Sequence, residues 1–256
     1  MSTFTEKVSL ENTFGLDAYD RRARLIPVLL VALPLALVAA VWAPGGTAAW
    51  SPLWLIAVGC GIAYLFADLA REAGKRIEAD LFRKWNGPPT RRLLRHQSET
   101  PTPLLHRRHL LIESITGETL PSAEEEQKEP HITDEIYDTC IHVLRERTRE
   151  KDRFPLVFAE NCAYGFRRNS LGLRPYGIAA SALSLIILAA LISPQLPVSA
   201  ALGEPFTLII GAVCVGLLLF WLFVVKPAWV RSKAEAYAER LLAAGEKLYR
   251  DKPESM

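Results

Sequence analysis

The chain has 256 residues, 30 Lys/Arg against 28 Asp/Glu, and a formal net charge of +2. That length allows one or two domains. Half the residues are hydrophobic, but they are segregated: no Asp, Glu, Lys, Arg or His lies between Leu25 and Ala67. A soluble globule with a single mixed core is therefore excluded.

Residues 1–24 form a polar N-terminal segment with Lys7, Arg21, Arg22 and Arg24, and Asp17–Asp20 reads as a short helical piece before the first apolar run. Four uncharged apolar stretches follow along the chain: Leu25–Ala43, Pro52–Ala67, Tyr176–Ser193 and Phe206–Val225. A bilayer core about 30 Å thick needs about 20 helical residues, so each stretch approaches or meets the length of a span. Backbone groups in lipid must bond internally, and these runs are too continuous for barrel strands, so helices are expected. Leu25–Ala43 also resembles a signal peptide, with arginines before it and small residues near its end. The 24 residues ahead of it and the second run close behind favour a retained span. Pro27 and Pro34 predict a kinked first span. Pro44-Gly45-Gly46 predicts a turn, and Trp42, Trp50 and Trp54 cluster where aromatic rings prefer a membrane boundary.

The cations divide the chain into sides. Four Lys/Arg precede the first span, 19 lie between the second and third, and 7 follow the fourth. The connections Pro44–Ser51 and Pro194–Pro205 hold none, and Glu204 is their only charge. Cationic loops stay on the cytoplasmic side, so both termini and the middle segment are expected inside, in a multi-pass bacterial inner-membrane topology. The expected fold is an all-α integral membrane protein. It has four transmembrane helices as two hairpins, with helical cytoplasmic extensions and a central cytoplasmic region. The expected boundaries are 1–24 (cytoplasmic), 25–67 (first hairpin), 68–175 (cytoplasmic helical region), 176–225 (second hairpin) and 226–256 (cytoplasmic C-terminal helix).

Within the middle segment, Asp68–Asn86 continues the second span as a charged helix that Asn86-Gly87-Pro88-Pro89 stops. Residues near 113–130 read as a flexible acidic loop around Glu124-Glu125-Glu126. Thr133 then reads as a helix cap, with a buried stripe of Ile132, Ile136, Cys140 and Val143/Leu144. Ala228–Tyr249 reads as a second charged extension. The two halves share this layout: a cationic lead-in, a span, a Pro-containing tip, a second span and an extension. Either a duplicated unit or two independently similar hairpins would give that pattern.

Five arginines cluster in the basic stretch: Arg91, Arg92, Arg95, Arg107 and Arg108. Arginine grips phosphate bidentately, so these suit an anionic ligand, whether nucleotide, oligonucleotide or anionic lipid headgroup. A solvated inner face obeying the charge rule would look the same. Arg167 and Arg168, just ahead of the third span, extend the ligand-binding set. Glu160, Asn161, Tyr164 and Asn169 are interleaved with them and suggest a polar junction coupling the middle segment to that span. Lipid anchoring by the same residues is the simpler alternative.

Other chemistry is thinly represented. His131, Glu135, Asp138 and His142 share one helix face at metal-ligand spacing, but a solvated face explains them better. No metal or cofactor is expected. Cys60, Cys140, Cys162 and Cys214 contain no Cys-x-x-Cys pair and read as small buried hydrophobes. No phosphate-cradling glycine loop, nucleophile elbow or kinase signature occurs, so no catalytic residue is assigned and an enzyme is not expected. The spans carry no ionisable residue, which disfavours an ion-coupled transporter, whereas a dewetting pore needs none.

Two phrases carry a family resemblance. One is Arg83-Lys84-Trp85-Asn86-Gly87-Pro88-Pro89-Thr90-Arg91-Arg92-Leu93-Leu94-Arg95-His96. The other runs from Thr148-Arg149 through Phe154-Pro155-Leu156 to Glu160-Asn161-Cys162-Ala163-Tyr164-Gly165-Phe166-Arg167-Arg168-Asn169. Both resemble a bacterial family of uncharacterised four-span inner-membrane proteins. Some of its members accompany nucleotide-signalling anti-phage systems of the CBASS or Hailong kind. The resemblance implies an oligomeric membrane effector or channel, gated by an anionic ligand at its cytoplasmic region. The rival expectation is a non-catalytic scaffold that recruits a soluble partner to the membrane.

Overall fold

The structure, a computed structural model, describes residues 17–42, 52–192 and 204–251. The two expected tips and the first 16 residues lie outside the described residues, as do the side chains of most of the second expected span. Among the described residues every regular element is helical. The α-helices are α1 (Ala18–Asp20), α2 (Ile26–Trp42), α3 (Pro52–Lys84), α4 (Pro89–Arg92) and α5 (Thr102–Thr116). After them come α6 (Ala123–Lys128), α7 (Pro130–Arg147), α8 (Pro155–Ile192), α9 (Glu204–Leu219) and α10 (Pro227–Arg250). Three stretches, Ala18–Ala39, Pro155–Leu191 and Thr207–Val224, are long and apolar enough to cross a membrane. Leu29, Ile186 and Leu208 point out from them at 55%, 66% and 72% exposure, as lipid-facing side chains do.

The chain divides into two units. The span unit comprises Met1–Ile77 and Gly165–Lys226, and the charged unit comprises Glu78–Tyr164 and Pro227–Met256.

In the span unit two glycines of α8 allow close approaches. A Cβ at Gly172 would lie 2.5 Å from the backbone carbonyl of Ala73 on α3, and one at Gly177 would lie 2.2 Å from the Trp221 indole. Small residues let helices approach closely where lipid offers no hydrophobic drive. Val28, Ala70 and Leu173 form one buried cluster, and Val38, Leu188, Leu191, Ile210 and Cys214 another.

Two π-turns interrupt the span helices, each beside a proline. The first, Arg21–Leu25, precedes Pro27. Proline has no N–H to give the carbonyl four residues back. The buried Asn169 side chain supplies it instead: Nδ2 donates to the Ala23 carbonyl at 2.7 Å. The second π-turn, Phe220–Val224, precedes Pro227. There Arg174 Nε donates to the Trp221 carbonyl at 3.0 Å and Nη2 to the Leu222 carbonyl at 3.2 Å.

The charged unit has an ordinary apolar core. Leu94, Ile112, Ile115, Tyr137, Cys140, Ile141, Leu144, Phe154 and Leu241 are its main buried members. Helix α3 ends where expected: Asn86 (φ 61°) and Gly87 (φ 109°) take the left-handed conformation, and Pro88 and Pro89 prevent continuation.

Three local expectations differ. Near 113–130 the expected loop holds the end of α5 and the short helix α6. Ser122 and Glu125 close a reciprocal capping box there, and the acidic first turn suits the helix dipole. Helix α7 starts at Pro130, three residues before the expected cap, because proline is pre-organised for a first helical position. Thr133 instead bonds back to the Glu129 and Pro130 carbonyls. The buried stripe of α7 is correspondingly rotated, to Thr133, Tyr137, Cys140, Ile141 and Leu144, and Ile132 is 53% exposed.

Candidate functional site

The basic cluster lies in the charged unit, and the turn at Asn86-Gly87 positions it. The turn starts α4 from Pro89, and Arg91 on α4 and Arg95 in the turn that follows it both reach α7. Asp134 and Asp138 stand there. Arg91 Nη1 donates to Asp134 Oδ2 at 2.8 Å and Nε to Asp138 Oδ1 at 3.0 Å. Arg95 Nη2 donates to both Asp134 oxygens, at 2.8 and 2.7 Å, and its Nη1 ties back to the Asn86 carbonyl at 3.0 Å. Burial penalises the Arg91 cation, but the bonds to Asp138 and Asp134 outweigh that and hold it above the usual guanidinium range.

The other three arginines face α10, where Glu235, Glu239 and Glu246 share one side. Arg92 Nη1 stands 3.5 Å from Glu235 Oε1, and Arg231 Nε donates to that same oxygen at 2.8 Å. Arg108, only 7% exposed, pairs with Glu239, and its Nη1 is buried without a hydrogen-bond partner. Arg107 forms a solvent-facing pair with Glu246. The hydrogen bond from Arg107 holds the Glu246 carboxyl below its usual range.

Arg92, Arg95, Arg231, Glu235, Glu239 and Trp85 line a cavity of about 570 Å³. That volume is typical of small-molecule sites. Of the seven arginines expected to bind ligand, the structure brings Arg92 and Arg95 to this cavity, pairs Arg91 with Asp134 and Asp138, and pairs Arg108 with the cavity-lining Glu239. Arg107 stands on the exposed Glu246 side. Arg167 and Arg168 belong to the span unit, where Arg168 Nε and Nη2 each approach Asn169 Oδ1 at 3.3 Å.

The expected junction residues divide the same way. Glu160 accepts from Lys233 Nζ at 3.1 Å, and Tyr164 OH donates to Glu78 Oε1 at 2.6 Å, both inside the charged unit. Tyr164 also stacks on Tyr237, with ring centroids 6.3 Å apart. Asn169 is in the span unit on the Ala23 carbonyl. Asn161 is half-buried.

One polar cluster was not expected. Glu126 Oε2 accepts from Tyr137 OH at 2.8 Å and from the His96 backbone N–H at 3.0 Å. The His96 and His109 rings meet edge-on at 5.0 Å, with Nε2 of each donating to a carbonyl, those of Pro121 and Leu94. Burial drives the His109 pKa down, the Leu94 carbonyl partly offsets it, and His96 adds to the depression. Burial and then Glu126 push the Tyr137 phenol up. The spacing of His96 and His109 had no periodic signal, because a turn separates them. His131, Glu135, Asp138 and His142 are all exposed, and among the described residues no group of three or more His, Cys, Asp or Glu is arranged to hold a metal. Cys140, Cys162 and Cys214 are buried and form no disulfide among the described residues.

No family model, curated protein or solved structure matches the chain.

Proposed function

We propose that this protein is an oligomeric membrane effector or channel whose charged unit senses an anionic, nucleotide-like ligand, and that it serves anti-phage defence. In this reading four helices span a bacterial inner membrane, both termini are cytoplasmic, and no step of catalysis is involved. The observation that carries it is the continuity of α3 and α8. Each runs as one unbroken helix through the point in sequence where the two units divide, at Ile77–Glu78 and Tyr164–Gly165. A helix without a break transmits a displacement along its axis. The apolar, charge-free spans suit a pore that is dewetted when closed.

The second reading is the non-catalytic scaffold for a soluble partner. It is favoured by the ion pairs: Arg91, Arg95, Arg107 and Arg108 each already hold a carboxylate of the same unit. Expression of the full chain separates the two readings. A channel depolarises cells at matched expression, and a scaffold leaves the membrane potential unchanged. Reporter fusions at Thr47 and Ser199 should read as periplasmic, and those at Ser122 and Met256 as cytoplasmic. A periplasmic Ser122 contradicts the topology on which both readings depend.

A further inference from the structure

We infer that Glu235 is a built-in competitor for a phosphate-bearing ligand, which displaces it from between Arg92 and Arg231 in the Trp85 cavity. This rests on the ligand-sensing reading and names the chemistry that its site takes.

The two guanidiniums converge on a single carboxylate oxygen, at 3.5 and 2.8 Å. One carboxylate cannot satisfy two forks that each present parallel donors. The neighbouring pair shows the same shortage: Arg108 spends one nitrogen on Glu239 while Nη1 stays buried without a partner. Three guanidiniums therefore face two carboxylates on this side of α10. Arg95 does not add to the excess, because Asp134 and the Asn86 carbonyl occupy it. Glu99 is an exposed acid on the same cavity lining, so the ligand's anionic group belongs at Arg92 and Arg231 and not beside Glu99.

The chemistry selects phosphate over a carboxylate. A carboxylate ligand would replace Glu235 with an equal charge and the same two oxygens, gaining little. A terminal phosphate monoester brings about −1.5 to −2 charge at pH 7 and three strong acceptor oxygens, enough to serve both forks; a diester, with one charge and two free oxygens, is the weaker competitor. Glu235 can leave without being trapped: its side chain is 43% exposed on the surface of α10. The ligand would therefore trade a half-exposed internal ion pair, weakly held, for a charge-denser one. The source can be a soluble phosphate compound or a phosphate-bearing lipid headgroup.

The test uses the full-length protein in neutral detergent, titrated calorimetrically with inorganic pyrophosphate, and in nanodiscs with and without phosphatidic acid. Glu235→Gln removes the competitor and should tighten pyrophosphate binding about tenfold. Arg231→Gln and Arg92→Gln should each weaken it about tenfold, and Arg231→Lys should recover only part, because charge without the fork is insufficient. If pyrophosphate does not titrate but association with phosphatidic-acid nanodiscs follows this same variant order, the ligand is a headgroup and the inference holds. If Glu235→Gln binds neither probe more tightly than the parent, or if the Arg92 and Arg231 variants bind both unchanged while keeping the parent's melting temperature, the inference is overturned. Binding and gating separate cleanly. Intact phosphate binding without any ion flux sinks the effector reading and leaves the site; ligand-opened flux that ignores Glu235 does the reverse.

Discussion

The two units use polar side chains for opposite purposes. In the span unit, Asn169 and Arg174 serve backbone carbonyls near π-turns and prolines. In the charged unit, Arg91, Arg95, Arg107 and Arg108 serve side-chain carboxylates on other helices. The difference follows from solvent. An unpaired carbonyl in lipid has no water to fall back on, so a broken helix there must recruit a donor. Where water is available, helix ends look after themselves, and charges are free to act as clasps between helices. Packing differs too: the span unit adds to its apolar clusters close glycine contacts, Gly172 on the α3 backbone and Gly177 on the Trp221 indole, whereas the charged unit closes through Leu, Ile and Tyr side chains.

Substitutions test that contrast, and the largest effect belongs to the glycine contact. Gly172→Ala places a Cβ against the α3 backbone, which cannot rotate away as a side chain could. It should cost about 1–3 kcal/mol, read as thermal unfolding in detergent. Gly216→Ala, with nothing within 4 Å, is the matched control and should be neutral. Equal melting temperatures for the two variants would break the packing half of the comparison.

Asp134→Ala removes the carboxylate shared by Arg91 and Arg95, both mostly buried at 19% and 21% exposure. Leaving two guanidiniums short of an acceptor should cost about 2 kcal/mol. Asp134→Asn should recover part of it. A silent Asp134→Ala would mean that the clasps are decoration.

Asn169→Leu keeps the branched outline, though it is bulkier, and strands the Ala23 carbonyl. Loss of about 1 kcal/mol is expected, in line with side-chain hydrogen bonds between membrane helices. Asn169→Gln, whose longer side chain still carries an amide, should lie between Leu and the parent in a thermal series.

The smallest expected effect is a pH dependence in the charged unit. His109 is 9% exposed and faces His96, Glu113 and Glu126, and its folded pKa lies below the usual 6.5. Below that pH the unfolded chain takes up a proton that the folded chain refuses. The His109 contribution is thus complete above pH 6.5 and is lost as pH falls from there toward the folded pKa. Melting temperatures between pH 7.5 and 5.5 should fall for the parent and flatten for His109→Gln. A parallel fall in both would assign the dependence to other groups.

Much of this architecture was legible in the residues, and the reasons are physical. Uninterrupted apolar runs announce membrane helices because nothing else explains so many residues without a charge. Asn86-Gly87-Pro88-Pro89 announces a helix stop because three of its residue types each oppose continuation. The cavity was not legible. Arg92 and Arg231 are remote in sequence, and only folding α10 against α4 brings them to one oxygen. The carboxylate partners were half-visible: Asp134/Asp138 and Glu235/Glu239 repeat at one-turn spacing, which would have flagged acidic stripes able to face the arginines. The start of α7 is three residues earlier than a Thr133 cap implies, because Pro130 already meets the geometric need of a first turn.

Ion flux from proteoliposomes holding the purified full chain tests the central claim most directly. With nucleotides of both mononucleotide and cyclic oligonucleotide form added to the face bearing the charged unit, the account predicts flux that rises on ligand addition and is lost in Arg92→Gln and Arg231→Gln. Vesicles that stay tight with every nucleotide, or leak equally in parent and variants, would contradict it.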